Sequence, residues 1–252
     1  MIGPLTILDE TYRVAWGDLV YIRDNIAEVL VTCLVGPLLY LLAFGFGLGE
    51  SMEQSSSQYI AFIIPGIIAL TTLSATFSTV SMKILLQRLF YMSFDELKLC
   101  PIHISSMVFG KTLAGTVRAL ISCTAIMAVG HLISPDVNFD PWIFMAILIG
   151  GFTFSCFGML AGMLCNHTQR LNLFTSVVIV PMTFLCGTLF DVSALPDAAS
   201  WIVYALPLTH VSEVMRGLML DTGVPLDSVV IVLAYMAVFF TACYWLIRTN
   251  RC

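Results

Sequence analysis

In this chain of 252 residues, 59% are hydrophobic and 11% charged, and the mean hydropathy is +0.95, a composition that excludes an ordinary soluble domain and indicates an integral membrane protein. A net charge of -5, an isoelectric point near 5.2 and the lack of a long basic run exclude nucleic acid as a partner. The fold class expected is therefore all-α, built from membrane-spanning helices.

The first predicted element is an interfacial helix over residues 5–27. Leu8, Tyr12, Ala15, Leu19, Ile22 and Ile26 recur at intervals of four and three and share one helical face, with Asp9, Arg13 and Asp24 mainly opposite. Trp16 beside that stripe suits the headgroup level. Packing on a soluble partner would give the same periodicity, but the span that follows directly favours the membrane surface. Asp9, Glu10, Asp18, Asp24 and Glu28 give this region the wrong composition for a signal peptide.

A hydrocarbon core of roughly 30 Å needs about 20 apolar residues per helix. Six stretches meet that length: 29–49, 59–82, 112–133, 141–164, 171–190 and 228–247. The fourth apolar run continues to Gln169, so its last residues, from Cys165, form a turn. Pro37, Pro65 and Pro181 interrupt spans and read as kinks, tolerated where neighbours or water satisfy the freed carbonyls. On the fourth helix Gly151, Ser155, Gly158 and Gly162 lie four, three and four apart, a spacing that lets helix backbones approach closely, within the chain or between chains.

Only the third span carries a charge, Arg118, about 10 Å up the helix from Lys111 at 1.5 Å per residue. It either snorkels towards the cytoplasm or pairs inside the bundle. His131 reads as an interfacial residue at the outer end of the same span. The cations orient the chain with both termini in the cytoplasm: Arg13, Arg23, Lys83, Arg88, Lys98, Lys111, Arg170, Arg248 and Arg251 fall inside and Arg216 outside.

Between the second and third spans, residues 83–111 form the longest cytoplasmic connection, mixing cations and Asp95-Glu96 with Leu97, Leu99, Ile102, Ile104, Met107 and Val108. A merely solvated loop would waste that apolar surface, which suits docking to a soluble partner. A short helix is predicted from Pro101 through Gly110, lying across the cytoplasmic face. The outer segment 191–227, DVSALPDAASWIVYALPLTHVSEVMRGLMLDTGVPLD, is too apolar for an ordinary loop and too broken to span. As a seventh span it would put Glu213 and Arg216 in lipid at roughly 2.5–3.5 kcal/mol per charge. Two half-helices divided at Pro207, 198–206 and 208–220, dip in and return instead, with Glu213 and Arg216 at i and i+3 able to pair.

Motifs for chemistry fail on inspection. Phe109-Gly110-Lys111-Thr112 mimics the end of a phosphate-binding loop, but Ser105 stands where the first glycine is needed. Cys100-Pro101-Ile102-His103 and Cys165-Asn166-His167 lack partner clusters for a metal. The sequon Asn166-His167-Thr168 faces the cytoplasm in this topology and reads as chance. Of the eight cysteines, Cys33, Cys123, Cys156, Cys186 and Cys243 lie in apolar spans and Cys100, Cys165 and Cys252 on the reducing side, so no disulfide is expected.

At these residues the chain resembles the membrane subunits of type-2 ABC exporters (ABC-2 type permeases), and within them the nodulation-factor and daunorubicin exporter branch. Gly36-Pro37-Leu38-Leu39-Tyr40 leading to Gly45-Phe46-Gly47-Leu48-Gly49 is similar to its first-span signature, and Tyr59 to Gly66, YIAFIIPG, to the start of its second. Asp95-Glu96, Cys100-Pro101-Ile102 and Gly110-Lys111 resemble its cytoplasmic coupling region. Phe184 to Phe190, Leu195-Pro196 and Ala205-Leu206-Pro207-Leu208-Thr209-His210 ending at Arg216-Gly217 are similar to its fifth-span and outer re-entrant motif, the most specific of these matches.

The resemblance implies a single transmembrane domain over 1–252 that pairs with a second copy of itself or a similar permease and recruits two copies of a separate ABC ATPase. ATP and Mg would bind on that partner, and this chain would hold no cofactor, metal or catalytic residue. The implied coupling residues are Asp95, Glu96, Leu97, Pro101, Ile102, Gly110 and Lys111, and the implied pathway or outer-gate residues are Tyr40, Phe44, Tyr59, Pro207, Glu213 and Arg216. The cargo implied is amphipathic, lipid-linked, glycan-bearing or drug-like, exported through the cell membrane. Aromatic residues such as Phe62, Phe152, Phe154, Phe157 and Tyr204 suit stacking on such cargo or ordinary packing alike. The alternative is an ion-gradient-driven secondary transporter, for which Arg118 and His131 are the titratable candidates.

Overall fold

Backbone polar groups inside a bilayer must be satisfied within their own segment, and this chain meets that demand with helices. The computed structural model describes residues 4–46, 56–133, 140–185, 201, 203–220 and 223–249, and among them every regular element is helical. In chain order these are α1 (Pro4–Asp24), α2 (Ile26–Tyr40) continued by a π segment (Leu41–Phe46), α3 (Ser56–Leu89), α4 (Ser93–Leu99), α5 (Ile104–Ile133) and α6 (Trp142–Leu164). There follow α7 (Thr168–Phe174), a second π segment (Thr175–Ile179) and α8 (Val180–Leu185), one uninterrupted helical run, then α9 (Pro207–Met219) and α10 (Leu226–Thr249). Each π segment lies about a turn from a proline, Pro37 or Pro181, whose ring and missing N–H disturb the regular ladder.

Among the described residues five helical segments are long and apolar enough to cross a membrane: Ile26–Ala43, Ile63–Leu89, Ile104–His131, Trp142–Leu164 and Leu226–Thr249. The protein is thus an all-helical, multi-pass membrane protein. α3 is the central helix, enclosed by α5, α6, α9 and α2, whereas α2 and α10 leave most of their apolar surface facing outward. Its 34 residues extend about 50 Å, more than a hydrocarbon core of roughly 30 Å. Its C-terminal end leads into α4.

Small residues make the closest helix contacts. A Cβ on Gly158 would stand 2.9 Å from the Phe77 carbonyl oxygen, and one on Gly162 would stand 2.5 Å from that of Ser81. Of the spaced small residues, Gly158 and Gly162 therefore form the α3–α6 seam inside the monomer. Gly151 faces Thr116 and Ala119 of α5, and Ser155 abuts Gly115. The seam is closed at its α4 end by Arg88, whose guanidinium donates to the terminal carbonyls of α6 at Gly162 (3.1 Å) and Met163. A cation at a helix C-terminus also suits the helix dipole.

Two expectations change. Residues 104–110 do not form a separate helix across the cytoplasmic face but are the first turns of α5, because nothing between Ile104 and Thr112 breaks a helix. The short helix lies before Pro101, as α4, with Asp95 and Glu96 in its first turn where the dipole favours acids, and it ends at Cys100, held extended (φ -71°, ψ 147°) ahead of the proline. The apolar stripe of α1 is also divided. Val14, Ala15 and Ile22 are buried against the bundle, while Leu8, Tyr12, Trp16 and Ile26 remain exposed, so the helix has a protein face and an adjoining apolar outer face.

Candidate functional site

The end that carries α1 and α4 is braced by charge. Asp18, buried on α1, places Oδ1 2.9 Å from Lys83 Nζ on α3 and Oδ2 3.6 Å from Lys111 Nζ on α5. Eight residues earlier on α1, Glu10 accepts from the backbone N–H of His103 (3.1 Å) and lies 2.9 Å from its Nδ1. Those two bonds, the backbone one foremost, hold the Glu10 carboxyl below the usual carboxylate range. Gly110 lets α1 reach α5, since a Cβ there would stand 2.7 Å from Val14 Cβ. Gly110 and Lys111 thus face α1, and the exposed surface nearby is made by other residues.

That surface is the connection between α3 and α5. Phe94 anchors it, fully buried among Val80, Ile84, Met107, Met159 and Ile247, with Leu97 packed against the same cluster. Asp95 pairs with Lys98 at 3.2 Å, and Glu96 is exposed. Around them Phe90, Tyr91, Met92 and Leu99 stand out with 68%, 70%, 56% and 87% of their surface free, and Pro101 is exposed too, whereas Ile102 is half-buried. An apolar knob with an acidic neighbour, rigidly seated by one aromatic, has the form of a protein-docking element.

Deeper in the bundle, a cavity of about 350 Å³ lies between α2, α3 and the α7–α8 run. Tyr40, Ser74, Ser78, Thr79 and Thr183 bring hydroxyls to it, and Arg118 lies at its edge. Arg118 neither snorkels free nor meets an acid: it donates to the Thr32 hydroxyl (3.1 Å) and the Cys33 sulfur (3.4 Å) of α2. Polar groups at this depth suit a water-accessible space rather than a lipid contact. Phe44 lies in the first π segment and Tyr59 in α3, and their side chains fall outside the described residues.

At the opposite end, α9 begins at Pro207, a first-turn proline whose missing N–H has no intrahelical partner to lose. The carbonyls of the turn before it are taken up one by one. Thr209 Oγ1 donates to Val203 O (2.6 Å), His210 Nε2 to Tyr204 O (2.8 Å) and the Tyr235 hydroxyl of α10 to Ala205 O (2.7 Å). Glu213 accepts from the Ser228 hydroxyl of α10 at 2.6 Å, and its Oε2 is 3.6 Å from His210 Nδ1. With Ser228 donating to Glu213, its oxygen is left to accept, and His210 Nδ1 lies 3.3 Å from it. Sequence reading singles out Pro207, Glu213 and Arg216. It misses His210, Ser228 and Tyr235, of which only His210 stands inside the family-like motif. Of the first expected half-helix, residues 198–200 and 202 lie outside the described residues, as do Asp191 to Asp197.

The charges of this cluster support one another. The Glu213 bond, against the opposing effect of burial, raises His210 above the ordinary histidine range. Burial alone would push Glu213 up, but the bonds from His210 and Ser228 and the nearby Arg216 charge hold it below the carboxylate range. A raised histidine stabilises the fold at pH below its unfolded value of about 6.5, and that contribution disappears as pH rises through the raised value. A lowered carboxylate contributes above about 4.3 and loses its effect as pH falls through the lowered value. The thermal midpoint should therefore decline as pH rises above about 6.5, and His210→Gln should flatten that decline. An equally steep decline in the variant would assign it to another group.

A family model for the ABC-2 type transporter matches residues 7–220, and the chain belongs to that family of membrane permeases. It is 30% identical over 207 residues to Nodulation protein J of Sinorhizobium fredii, covering 79% of this chain and 76% of the relative. Nodulation protein J of Rhizobium meliloti is 28% identical over 203 residues, covering 78% and 75%. Inner membrane transport permease YadH of Escherichia coli is 22% identical over 229 residues, 89% of each chain.

Proposed function

We propose that this protein is the transmembrane subunit of an ATP-driven exporter that moves an amphipathic, lipid-linked, glycan-bearing or drug-like molecule out of the cytoplasm, with ATP and Mg bound by two copies of a separate ATPase. The observation that carries this reading is the α4 knob, an exposed apolar and acidic surface seated by Phe94 in a buried cluster drawn from α3, α5, α6 and α10. A push on α4 would be delivered to the central helix α3 and, through the α3–α6 seam, to the far end. The hydroxyl-lined cavity beside α2, α3 and α8 provides the pathway, completed by a second copy of the chain or a similar permease.

In this reading both termini and α4 are cytoplasmic, Thr168–Leu185 with the residues up to 190 is the fifth of six spans, and residues 191–227 re-enter from outside. Support for re-entry comes from Val211 of α9, which packs where a Cβ on Gly150 of α6 would stand 3.1 Å away. Gly150 lies eight residues inside α6, about 12 Å below its end at 1.5 Å per residue. Cysteines placed at Asp197 and Asp221 in a cysteine-free background should both label with an impermeant thiol reagent from outside. Labelling from opposite sides would make the segment a seventh span.

The coupling role is tested by affinity purification of the tagged protein with its ATPase. Leu99→Asp or Glu96→Lys should reduce co-purified ATPase and substrate-stimulated ATP hydrolysis roughly ten-fold or more, as expected for a hot spot worth about 2 kcal/mol, without loss of membrane insertion. Undiminished stimulation in both variants would count against the knob as the docking element. Ion-coupled uptake by the chain alone would replace the exporter reading with a secondary carrier.

A further inference from the structure

A second cavity, of about 490 Å³, opens between α1, α3 and α5 at the α4 end of the bundle. Its wall carries three cations, Lys83, Lys111 and Arg118, against one carboxylate, Asp18, an excess of two positive charges (3 - 1 = 2). Asp18 is shared between the two lysines, and Arg118 donates to two neutral acceptors, Thr32 and Cys33. Lys111 is 6% exposed, so its ammonium is held out of bulk water and shares its one carboxylate with Lys83. A buried cation that shares its one carboxylate favours a further anion beside it.

The cations are arranged, not scattered. On α5, Lys111, Gly115 and Arg118 lie at i, i+4 and i+7, and on α3, Thr79, Lys83 and Leu86 do the same, so one face of α5 brings two cations to the cavity and one face of α3 a third. Between the two α5 cations, Gly115 lets α5 close on Ser155 of α6 and Val80 of α3, since a Cβ there would stand 2.6 Å from each side chain. Tyr21 of α1 and exposed Tyr91 stand at the rim, while Ile22, Val80, Ile84 and Ala114 supply an apolar lining. Tyrosines at the rim, cations within and apolar walls behind are the complement of a molecule with an anionic head and an apolar body. Arg118 and Thr79 also line the hydroxyl-rich cavity, so the two spaces meet at these residues.

We propose that this cavity binds the phosphate head of an anionic amphiphile, with the phosphate among Lys83, Lys111 and Arg118 and the apolar part against α3 and α5. The assignment rests on the exporter reading only in taking this end as the cytoplasmic membrane face. The phosphate belongs either to a membrane lipid or to a phosphorylated amphiphile presented for transport.

The full chain, purified in neutral detergent without any ATPase, is titrated with short-chain phosphatidylglycerol, with phosphatidylcholine of the same chain length and with inorganic phosphate. Binding is read from thermal-midpoint shifts and from lipid retained in native mass spectrometry. Phosphatidylglycerol should bind at least ten-fold more tightly than phosphatidylcholine, Arg118→Gln and Lys83→Gln should each weaken it about ten-fold, and Lys83→Arg should restore it, as expected for charge-assisted contacts. Arg13→Gln, on the exposed side of α1, should bind as the unaltered chain does. Displacement of the lipid by inorganic phosphate would support a site for any accessible phosphate, and displacement only by chain-bearing lipid a site for bilayer lipid. Equal affinity for the two lipids, or undiminished binding by both Arg118→Gln and Lys83→Gln, would overturn the assignment. Because no nucleotide or transport step enters the assay, that failure leaves the exporter reading standing. Conversely, a chain that binds phosphatidylglycerol but recruits no ATPase would keep the phosphate site and lose the exporter reading.

Discussion

Asp18→Asn should destabilise this protein by about 3 kcal/mol or more, the range seen when one partner of a buried ion pair is removed. Asp18 is buried at the centre of the α1–α3–α5 junction, and its loss strands Lys111, a cation with almost no solvent contact, and unbalances Lys83. α1 would then be held to α5 mainly by the Glu10–His103 bonds and by Val14, Ala15 and Ile22. The effect should be visible as a lowered unfolding midpoint in detergent and as faster tryptic cleavage at Arg13 and Arg23, both on exposed α1 surface. A second change, Lys111→Met, should recover much of the loss in the Asp18→Asn background, because it removes the stranded charge. Additive losses in the double variant would show that the two residues do not act as a pair.

The origin of that sensitivity explains what the sequence can and cannot reveal. Helical periodicity shows α1, because Leu8, Tyr12, Ala15 and Ile22 repeat within a few residues of one another. It cannot show Asp18 as an internal residue, since an acid on an amphipathic helix reads as solvated until its partners are known. Those partners lie 65 and 93 residues further on, at Lys83 and Lys111, and only the packing of α1 on α3 and α5 brings them together. Arg118 is legible as an unusual charge for the same reason that its partners are not: a cation in an apolar run is a local signal, whereas Thr32 and Cys33 belong to a helix 85 residues away. The misplaced short helix is different, because its signal is local. Asp95 and Glu96 open α4 and Pro101 follows its end, the usual polarity of a helix, whereas taking Pro101 as a helix start puts the element one segment too late. In the outer motif Pro207 announces the start of α9, but the hydrogen bonds that fix the turn come partly from Ser228 and Tyr235 of α10, outside any local pattern.

The α3–α6 seam gives a sharper test of the packing, because glycine-to-alanine should have opposite signs there and on α1. At Gly162 a methyl group would meet the Ser81 carbonyl at 2.5 Å and Ile84 Cβ at 3.1 Å, and the first of these is backbone that cannot rotate away. The helices must move apart, and they are pinned there by Phe77 at the core and by Arg88 on the last carbonyls of α6. Gly162→Ala should therefore cost about 1–3 kcal/mol, the usual penalty for overpacking, and Gly162→Leu should prevent stable folding. Gly17 of α1 has nothing within 4 Å of its missing Cβ, so Gly17→Ala should instead stabilise the helix by about 0.5–1 kcal/mol through its better propensity. Equilibrium unfolding of both variants in the same detergent measures the difference. Equal effects would mean that helix propensity, rather than close backbone approach, governs position 162, and the proposed coupling route from α4 through α3 to the far end would lose its rigid link.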